Sequence, residues 1–208
     1  MVVIGNLILK LMLRYCVFSV FCGLLLACSN EPEPKKNPIP KIKIEVPKFN
    51  ADSAYYFVEK QVSFGSRVIS SNAWKKCAIW LEKKMKTYTP HVIVQEAPIT
   101  TYDGKYHTLK NIIGSFSPKK NNRIALFAHW DSRHVADYDT INQDSPILGA
   151  NDGGSGVGVL LELARHFNNN NPNIGIDIIL FDAEDYGQPE NSKFPIMQDS
   201  WCLGSQYW

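Results

Sequence analysis

Several residues able to do chemistry follow apolar stretches of the sequence. His129 and Asp131 come directly after one apolar run, and Glu184 and Asp185 come shortly after another. Asp152 stands between them, at the start of a glycine-rich stretch. Imidazole nitrogens and carboxylate oxygens are ligands that zinc accepts, and a carboxylate can also carry protons. These residue types therefore indicate metal-assisted or acid–base chemistry, although each cluster alone is equally typical of a structural residue or a solvated turn.

The two apolar runs are predicted to be neighbouring strands. Residues 124–128 and 176–181 are almost continuously apolar, as expected of strands covered on both faces in a parallel or mixed sheet. Between them, a helical stripe comprises Val157, Leu160, Leu161 and Ala164, and the glycines at its start, which allow close approach to the sheet, are Gly153, Gly154, Gly156 and Gly158. Strand, helix and strand make a βαβ unit, in which ligands bind beyond the carboxyl ends of the strands. The acidic clusters are thus expected at one edge of the sheet, beside a long loop at 132–148.

Two helices and a hairpin are predicted before this unit. The first helix should begin near Asn50, and its apolar stripe consists of Ala51, Tyr55, Val58 and Val62. The second should be capped by Ser71 or Asn72 and should bury Trp74, Cys77, Ala78, Leu81 and Met85. The turn at 102–105 should join a strand containing Val92 and Val94 to a strand at 109–116.

Composition excludes some classes of protein. The chain has 208 residues, 45% of them hydrophobic, which is typical of a folded globular protein. Its 22 basic and 20 acidic side chains give a net charge of +2, and no basic stripe is interleaved with aromatic residues. Nucleic acid is therefore not expected as a partner.

The first 49 residues carry export features. Lys10 and Arg14 are followed by an apolar run that ends in Leu25-Leu26-Ala27-Cys28, which resembles the lipobox of bacterial lipoproteins. We expect residues 1–27 to be a signal peptide and Cys28 to carry a lipid that holds the protein to a membrane of the bacterial cell envelope. An uncleaved signal anchor or a simple secretory signal is the alternative. Residues 28–49, rich in proline and lysine, are predicted to form a tether, and residues 50–208 a folded domain.

Other chemistries fit less well. The glycines at 153–156 are not followed by the Gly-Lys-Ser/Thr of a phosphate-binding loop. Ser155 does not fit the nucleophile elbow of a hydrolase, because a long loop separates it from the preceding strand. Cys77 and Cys202 could pair in an oxidising envelope or remain buried thiols, and they stay unassigned.

Four segments in order carry a family resemblance. They are His129-Trp130-Asp131-Ser132-Arg133, Gly149-Ala150-Asn151-Asp152-Gly153, Phe181-Asp182-Ala183-Glu184-Asp185 and Gly204-Ser205-Gln206-Tyr207-Trp208. Together they resemble the superfamily of M28 metallopeptidases and glutaminyl cyclases, and within it the bacterial relatives of the animal-type cyclases. The resemblance implies a three-layer α/β/α fold with a mixed, mostly parallel central sheet, incomplete here at the C-terminus.

The resemblance also implies roles for individual residues. Asp152 matches the central metal ligand, Asp185 the second carboxylate ligand and Glu184 the acid–base residue. The departure from the family pattern is at Asp185, where glutamate is common. His129 matches a histidine that binds the second metal of two-zinc aminopeptidases and is no ligand in one-zinc cyclases. A further histidine ligand is expected beyond Trp208.

The activity implied is glutaminyl-peptide cyclotransfer with one zinc ion. Such an enzyme converts the N-terminal glutamine of a peptide or protein into pyroglutamate and releases ammonia. One alternative is an M28 zinc aminopeptidase, in which Glu184 would activate water against the first peptide bond. The other is an inactive, truncated form that lacks the later ligand.

Overall fold

The structure, a computed structural model, describes residues 46–208. The predicted signal peptide, the predicted lipidation site at Cys28 and residues 28–45 of the predicted tether lie outside this range. No helix in residues 46–208 has the length and apolar character needed to cross a membrane.

Four helices and four strands make up the described domain. In chain order they are α1 (Ala51–Val62), α2 (Asn72–Lys86), β1 (Val92–Thr100), β2 (Tyr106–Phe116), β3 (Arg123–His129), α3 (Gly154–Asn169), β4 (Gly175–Phe181) and α4 (Leu203–Tyr207).

The strands form one mixed sheet in the order β1-β2-β4-β3. β1 pairs with β2, and β2 with β4, in antiparallel orientation, whereas β3 pairs with β4 in parallel. The predicted hairpin, the βαβ unit and the mixed sheet are therefore confirmed. One of the three pairings among these strands is parallel.

Helices lie on both faces of the sheet. On one face, α2 packs so closely over β2 that a β-carbon at Gly114 would lie 2.6 Å from Met85 Sδ. α3 approaches β3 on the same face, where a β-carbon at Gly156 would lie 2.9 Å from the β-carbon of Ala128. The short α4 contacts the opposite face, where Asn111 Nδ2 donates to the Gly204 carbonyl at 2.8 Å. This arrangement confirms the α/β fold class.

The second helix forms as predicted. Ser71 is its N-cap, and the Ser71 side chain accepts the backbone N–H of Trp74 at 3.0 Å. Its buried residues are the predicted Trp74, Cys77, Ala78, Leu81 and Met85. A cap residue followed by apolar residues at helical spacing was sufficient to locate this helix and its buried face.

The first helix forms at the predicted place but buries a different face. Its buried residues are Ala54, Phe57 and Gln61, whereas Tyr55 of the predicted stripe is 67% exposed. The cause is the close packing of α1 on α3. A β-carbon at Gly158 would lie 2.7 Å from the Ala54 carbonyl oxygen, so only glycine fits at position 158. Gln61 is tolerated because its amide donates to two backbone carbonyls.

The expectation that β3 is covered on both faces is wrong for the described residues. Phe127, on the face opposite α3, is 66% exposed, and Ile124, at the start of the strand on the face towards α3, is 45% exposed. β3 is an edge strand of this sheet, and within residues 46–208 little packs over its second face beyond the contact of Phe127 with Phe181. β4, in the interior of the sheet, is buried along most of its length, as predicted.

Candidate metal centre

The predicted site residues lie at one edge of the sheet. His129 ends β3 and is the register partner of Phe181, which ends β4. Because the two strands are parallel, the residues that follow them emerge at the same edge. Asp152 reaches that edge from the turn before α3, and the structure thereby places the predicted residues near one another.

Asp182 shapes the turn after β4. Its fully buried carboxylate accepts Trp74 Nε1–H at 2.9 Å, the Lys110 N–H at 2.8 Å and the Ala183 N–H at 2.8 Å. Burial, followed by the charge of Asp131, raises the pKa of Asp182 well above its usual range. Ala183 has a φ of 51°, in the left-handed region, and these bonds hold the backbone there.

Asp131 fixes the backbone of the next two residues. It is 1% exposed, and its two carboxylate oxygens accept the N–H groups of Glu184 at 3.1 Å and Asp185 at 3.0 Å. The side chains of Glu184 and Asp185 therefore leave a backbone whose position is set from β3.

Asp185 has an unpartnered oxygen in the buried part of the site. The residue is 3% exposed, and its Oδ2 has no hydrogen-bond partner among residues 46–208. Burial, then the charges of Asp131 and Asp152, raises the pKa of Asp185 to about 7. A buried carboxylate oxygen without a donor is costly, and a bound cation would remove that cost.

His129 lies among the carboxylates. Its Nε2 is 2.9 Å from Asp152 Oδ1, and its Nδ1 is 3.4 Å from Asp131 Oδ1 and 3.8 Å from Glu184 Oε2. Burial alone would lower the pKa of His129, but the negative charges of Asp131, Glu184 and Asp185 raise it to about 9. The ring is consequently held in place by negative charge on several sides.

Three residues of the site can offer ligand atoms to one ion. A ligand atom from each of His129, Glu184 and Asp185 lies within 4.8 Å of the others. Asp152 is outside this group and joins it through His129, with its own side chain 59% exposed. The oxygen and nitrogen donors and the unpartnered Asp185 Oδ2 suit zinc. That Asp152 and Asp185 are the ligands stays a prediction.

A buried arginine that the sequence did not reveal holds the backbone segment that leads to Asp152. Arg67 is fully buried, and its guanidinium donates to the carbonyls of Trp130 at 2.8 Å, Leu148 at 2.7 Å and Gly149 at 2.8 Å. It thereby ties the end of the long loop to the end of β3. A single arginine far from the other site residues in sequence offers no spacing that could have identified it.

The loop at 132–148 contacts the site through Arg133. In the structure this loop contains no helix or strand, as predicted. Arg133 Nη1 donates to the carbonyls of Asp185 at 3.0 Å and Gly187 at 3.2 Å, and its guanidinium lies 4.4 Å from the centre of the Trp201 ring. The loop therefore supports the segment that carries Glu184 and Asp185.

A cluster of rings lies behind the same segment. His134 stacks on Tyr186 with ring centres 4.0 Å apart, and Tyr102 Oη lies 2.9 Å from His134 Nε2. Tyr186 Oη donates to Asp103 Oδ2 at 3.1 Å. Burial, followed by the charge of Arg133, lowers the pKa of His134 to about 4. A neutral ring is thus packed against the residue that follows Asp185.

The two cysteines in residues 46–208 do not pair. Both Cys77 and Cys202 are free thiols, Cys77 inside the core beneath α2 and Cys202 beside Glu184. The sequence left their pairing open, and the structure places them in separate environments.

The chain is similar to known proteins in both sequence and structure. The sequence model of Peptidase family M28 matches residues 111–208. The crystal structure of Tannerella forsythia glutaminyl cyclase is 52% identical, with a TM-score of 0.75 over 78% of this chain and 56% of that chain. A Zn-dependent exopeptidase from Parabacteroides distasonis is 52% identical, with a TM-score of 0.76 over 79% of this chain and 56% of that one. The uncharacterized protein YfbL of Escherichia coli is 31% identical over 133 residues, which are 64% of this chain and 31% of YfbL.

The chain thus spans little more than half the length of those two solved structures. Residues 111–208 match Peptidase family M28, and the chain is similar in structure to a bacterial glutaminyl cyclase and to a Zn-dependent exopeptidase.

Proposed function

We propose that this protein is a zinc-dependent glutaminyl-peptide cyclotransferase. The observation that carries the proposal is the pairing of Glu184 with Asp185. Glu184 has a side chain that is 33% exposed, whereas the adjacent Asp185 is buried with one oxygen unpartnered. One carboxylate is thus open to a substrate, and the next is suited to a cation. The 52% identity to a glutaminyl cyclase is consistent with the proposal.

Asp152 and Asp185 would hold the zinc ion, with a further ligand outside residues 46–208. Bound zinc would polarise the side-chain amide carbonyl of an N-terminal glutamine. His129 would serve as a ligand only if a second metal were bound.

Glu184 would carry the proton of the reaction. The substrate's α-amine nitrogen forms a bond to the side-chain carbonyl carbon, and the bond from that carbon to the amide nitrogen breaks. Glu184 accepts the proton that the amine loses and delivers it to the departing nitrogen, which leaves as ammonia. This task needs one carboxylate near both nitrogens, and the bonds from Asp131 hold the Glu184 backbone for it.

An aminopeptidase is the second candidate, and one observation favours it. His129 lies with Glu184 and Asp185 in a group whose ligand atoms are within 4.8 Å of one another, so the histidine is placed to hold a metal. In that enzyme Glu184 would remove a proton from water as the water attacks the first peptide bond. The identity to a Zn-dependent exopeptidase supports this candidate.

Products and metal content distinguish the two. A cyclase releases ammonia from glutaminyl peptides, leaves the peptide bond intact and holds one zinc per chain. Glu184→Gln should abolish turnover while zinc is retained, and His129→Ala should leave the zinc content unchanged. Glu190→Gln, which changes an exposed glutamate outside the site, is the matched control and should keep full activity.

The opposite pattern would establish the aminopeptidase. It consists of free amino acids released from leucyl or alanyl peptides, two zinc ions per chain, and loss of zinc on His129→Ala. Mass spectrometry of the peptide products and elemental analysis of the protein provide both measurements.

We also propose where the protein acts. The lipobox-like segment ending in Cys28 and the tether behind it support a lipoprotein anchored to a membrane of the bacterial cell envelope. The substrates would then be peptides or proteins with an N-terminal glutamine that are exposed in that compartment.

A further inference from the structure

A short segment near the end of the chain docks on the turn that carries Glu184. The N–H groups of Cys202, Leu203 and Gly204 donate to the carbonyls of Glu184, Ala183 and Asp182 at 3.1, 3.0 and 3.0 Å. Three consecutive donors thus meet three consecutive acceptors. This docking places Cys202 opposite Glu184.

The side chain of Cys202 meets the carboxylate of the same residue. Cys202 Sγ lies 3.2 Å from Glu184 Oε1, within the range of a thiol-to-carboxylate hydrogen bond. Cys202 has a φ of 58°, in the left-handed region that a residue with a β-carbon seldom adopts. The backbone bonds hold this conformation, and the conformation directs the thiol at Glu184.

The thiol is the donor of this bond. An ionised carboxylate has acceptor atoms only, so the S–H group donates and Glu184 Oε1 accepts. The thiol forms a hydrogen bond with Oε1 of Glu184 only. The other oxygen, Oε2, is 3.8 Å from His129 Nδ1, and no hydrogen bond to it forms among residues 46–208.

We propose that Cys202 is a positioning residue for Glu184. Its thiol holds Oε1, which fixes the orientation of the carboxylate and leaves Oε2 facing the space where the reacting nitrogens would lie. The inference rests on the proposed function of Glu184 as proton carrier. Cys202 is not itself a metal ligand in this account, since its sulfur contacts the carboxylate that carries the proton.

Turnover by two variants separates positioning from packing. The variants are made in the full-length protein as its source cells produce it. Cys202→Ala should lower kcat about tenfold, because one hydrogen bond to a charged group is lost. KM and zinc content should not change. Cys202→Ser restores an O–H donor and should stay within about threefold of the parent. Ser205→Ala, which removes an exposed hydroxyl bonded to the Cys202 carbonyl, is the matched control and should have no effect.

The assay is run on glutaminyl and on leucyl peptides, because Glu184 carries the proton in either reaction. Hydrolysis of leucyl peptides that shows the same pattern of variants would refute the cyclase and leave the positioning of Glu184 intact. Turnover by Cys202→Ala equal to that of the parent, or by Cys202→Ser as low as that of Cys202→Ala, would overturn the inference.

Infrared spectroscopy tests the contact without turnover. The S–H stretching band that disappears in Cys202→Ser belongs to Cys202. It should move to higher frequency in Glu184→Gln, because a neutral amide oxygen is a weaker acceptor than a carboxylate. If the band has the same frequency in the parent and in Glu184→Gln, no such hydrogen bond exists, and the inference is overturned.

Discussion

The carboxylate of Asp131 accepts the backbone N–H of Glu184 at 3.1 Å, so this buried residue, two positions after His129, holds the backbone of the proposed acid–base residue. The second oxygen of Asp131 accepts the N–H of Asp185 at 3.0 Å. One buried side chain on the β3 side therefore sets the position of both residues that follow β4. Both oxygens are needed as acceptors, which an amide cannot provide.

Asp131→Asn should destabilise the protein by about 2 kcal/mol. The new NH₂ group would face a backbone N–H, either that of Glu184 or that of Asp185, and leave a buried donor unpaired. Relief of the repulsion between Asp131 and Asp182 would offset part of this cost. Urea unfolding at pH 7 measures the change in the free energy of unfolding.

Asp139→Asn is the matched control. Asp139 also accepts two backbone N–H groups, those of Ile141 and Asn142, but through one oxygen on an exposed loop. The substitution keeps that oxygen and should change stability by less than about 0.5 kcal/mol. Equal effects of the two substitutions would show that burial of Asp131 is unimportant.

His134 should make the protein sensitive to acid. Its pKa is about 4 in the fold, below its ordinary value of 6.5. Between these two pH values the ring is therefore neutral in the folded state and protonated in the unfolded state. Stability is therefore present above pH 6.5 and is lost as the pH falls from 6.5 towards 4. For this half-buried ring the loss should be about 1–2 kcal/mol.

The measurement compares the fall in unfolding free energy between pH 6.5 and 4 for the parent and for His134→Gln. The variant should show a smaller fall, since the titrating ring is gone. His91→Gln, which replaces an exposed histidine, should keep the parent's fall. A fall in His134→Gln as large as in the parent would contradict the assignment.

Much of this fold could be predicted because apolar periodicity follows burial wherever one face of an element packs on the core. α2 shows this clearly, with a capping serine and polar residues opposite its buried stripe. α1 shows the limit. It carries aromatic residues on its exposed side, Tyr55 and Tyr56, and buries Gln61. Its buried face is set by the glycine on α3 that it packs against, and local periodicity cannot contain that information.

The site divides in a similar way. The location of His129, Glu184 and Asp185 could be predicted, because residues after two parallel strands must emerge at one edge. The residues that support them could not. Arg67 binds backbone carbonyls, and Cys202 is brought to Glu184 by backbone N–H groups that donate to carbonyls. Every residue has these backbone groups, so neither contact leaves a trace in residue types.

Lipid attachment can be tested at one cysteine. Cys28→Ala should move the protein from the membrane fraction to the soluble fraction, because the predicted anchor is attached to that thiol. Cys22→Ala, inside the predicted signal peptide, is the matched control and should leave the protein in the membrane fraction. A Cys28→Ala protein that stays with the membrane and carries no lipid by mass spectrometry would refute the lipoprotein prediction.

Asp185 should destabilise the metal-free protein and stabilise the zinc-bound one. Its pKa is about 7 in the fold, above its ordinary value of 3.8, so the folded state holds a proton that the unfolded state releases. Stability is therefore lost as the pH rises from about 4 to about 7, and the whole cost is present at pH 8. Without metal at pH 8, Asp185→Asn should accordingly be more stable than the parent by about 2 kcal/mol.

Zinc should reverse this order. An ion that binds only the folded state adds about 2.7 kcal/mol at a hundred times its dissociation constant, and the parent should gain this amount. Asp185→Asn should gain far less, because an amide oxygen carries no charge to attract the cation. Asp144→Asn, which neutralises an exposed aspartate in the long loop, should respond to zinc as the parent does. Urea unfolding at pH 8 with and without zinc measures all three proteins, and an equal gain by Asp185→Asn and the parent would remove Asp185 from the ligand set.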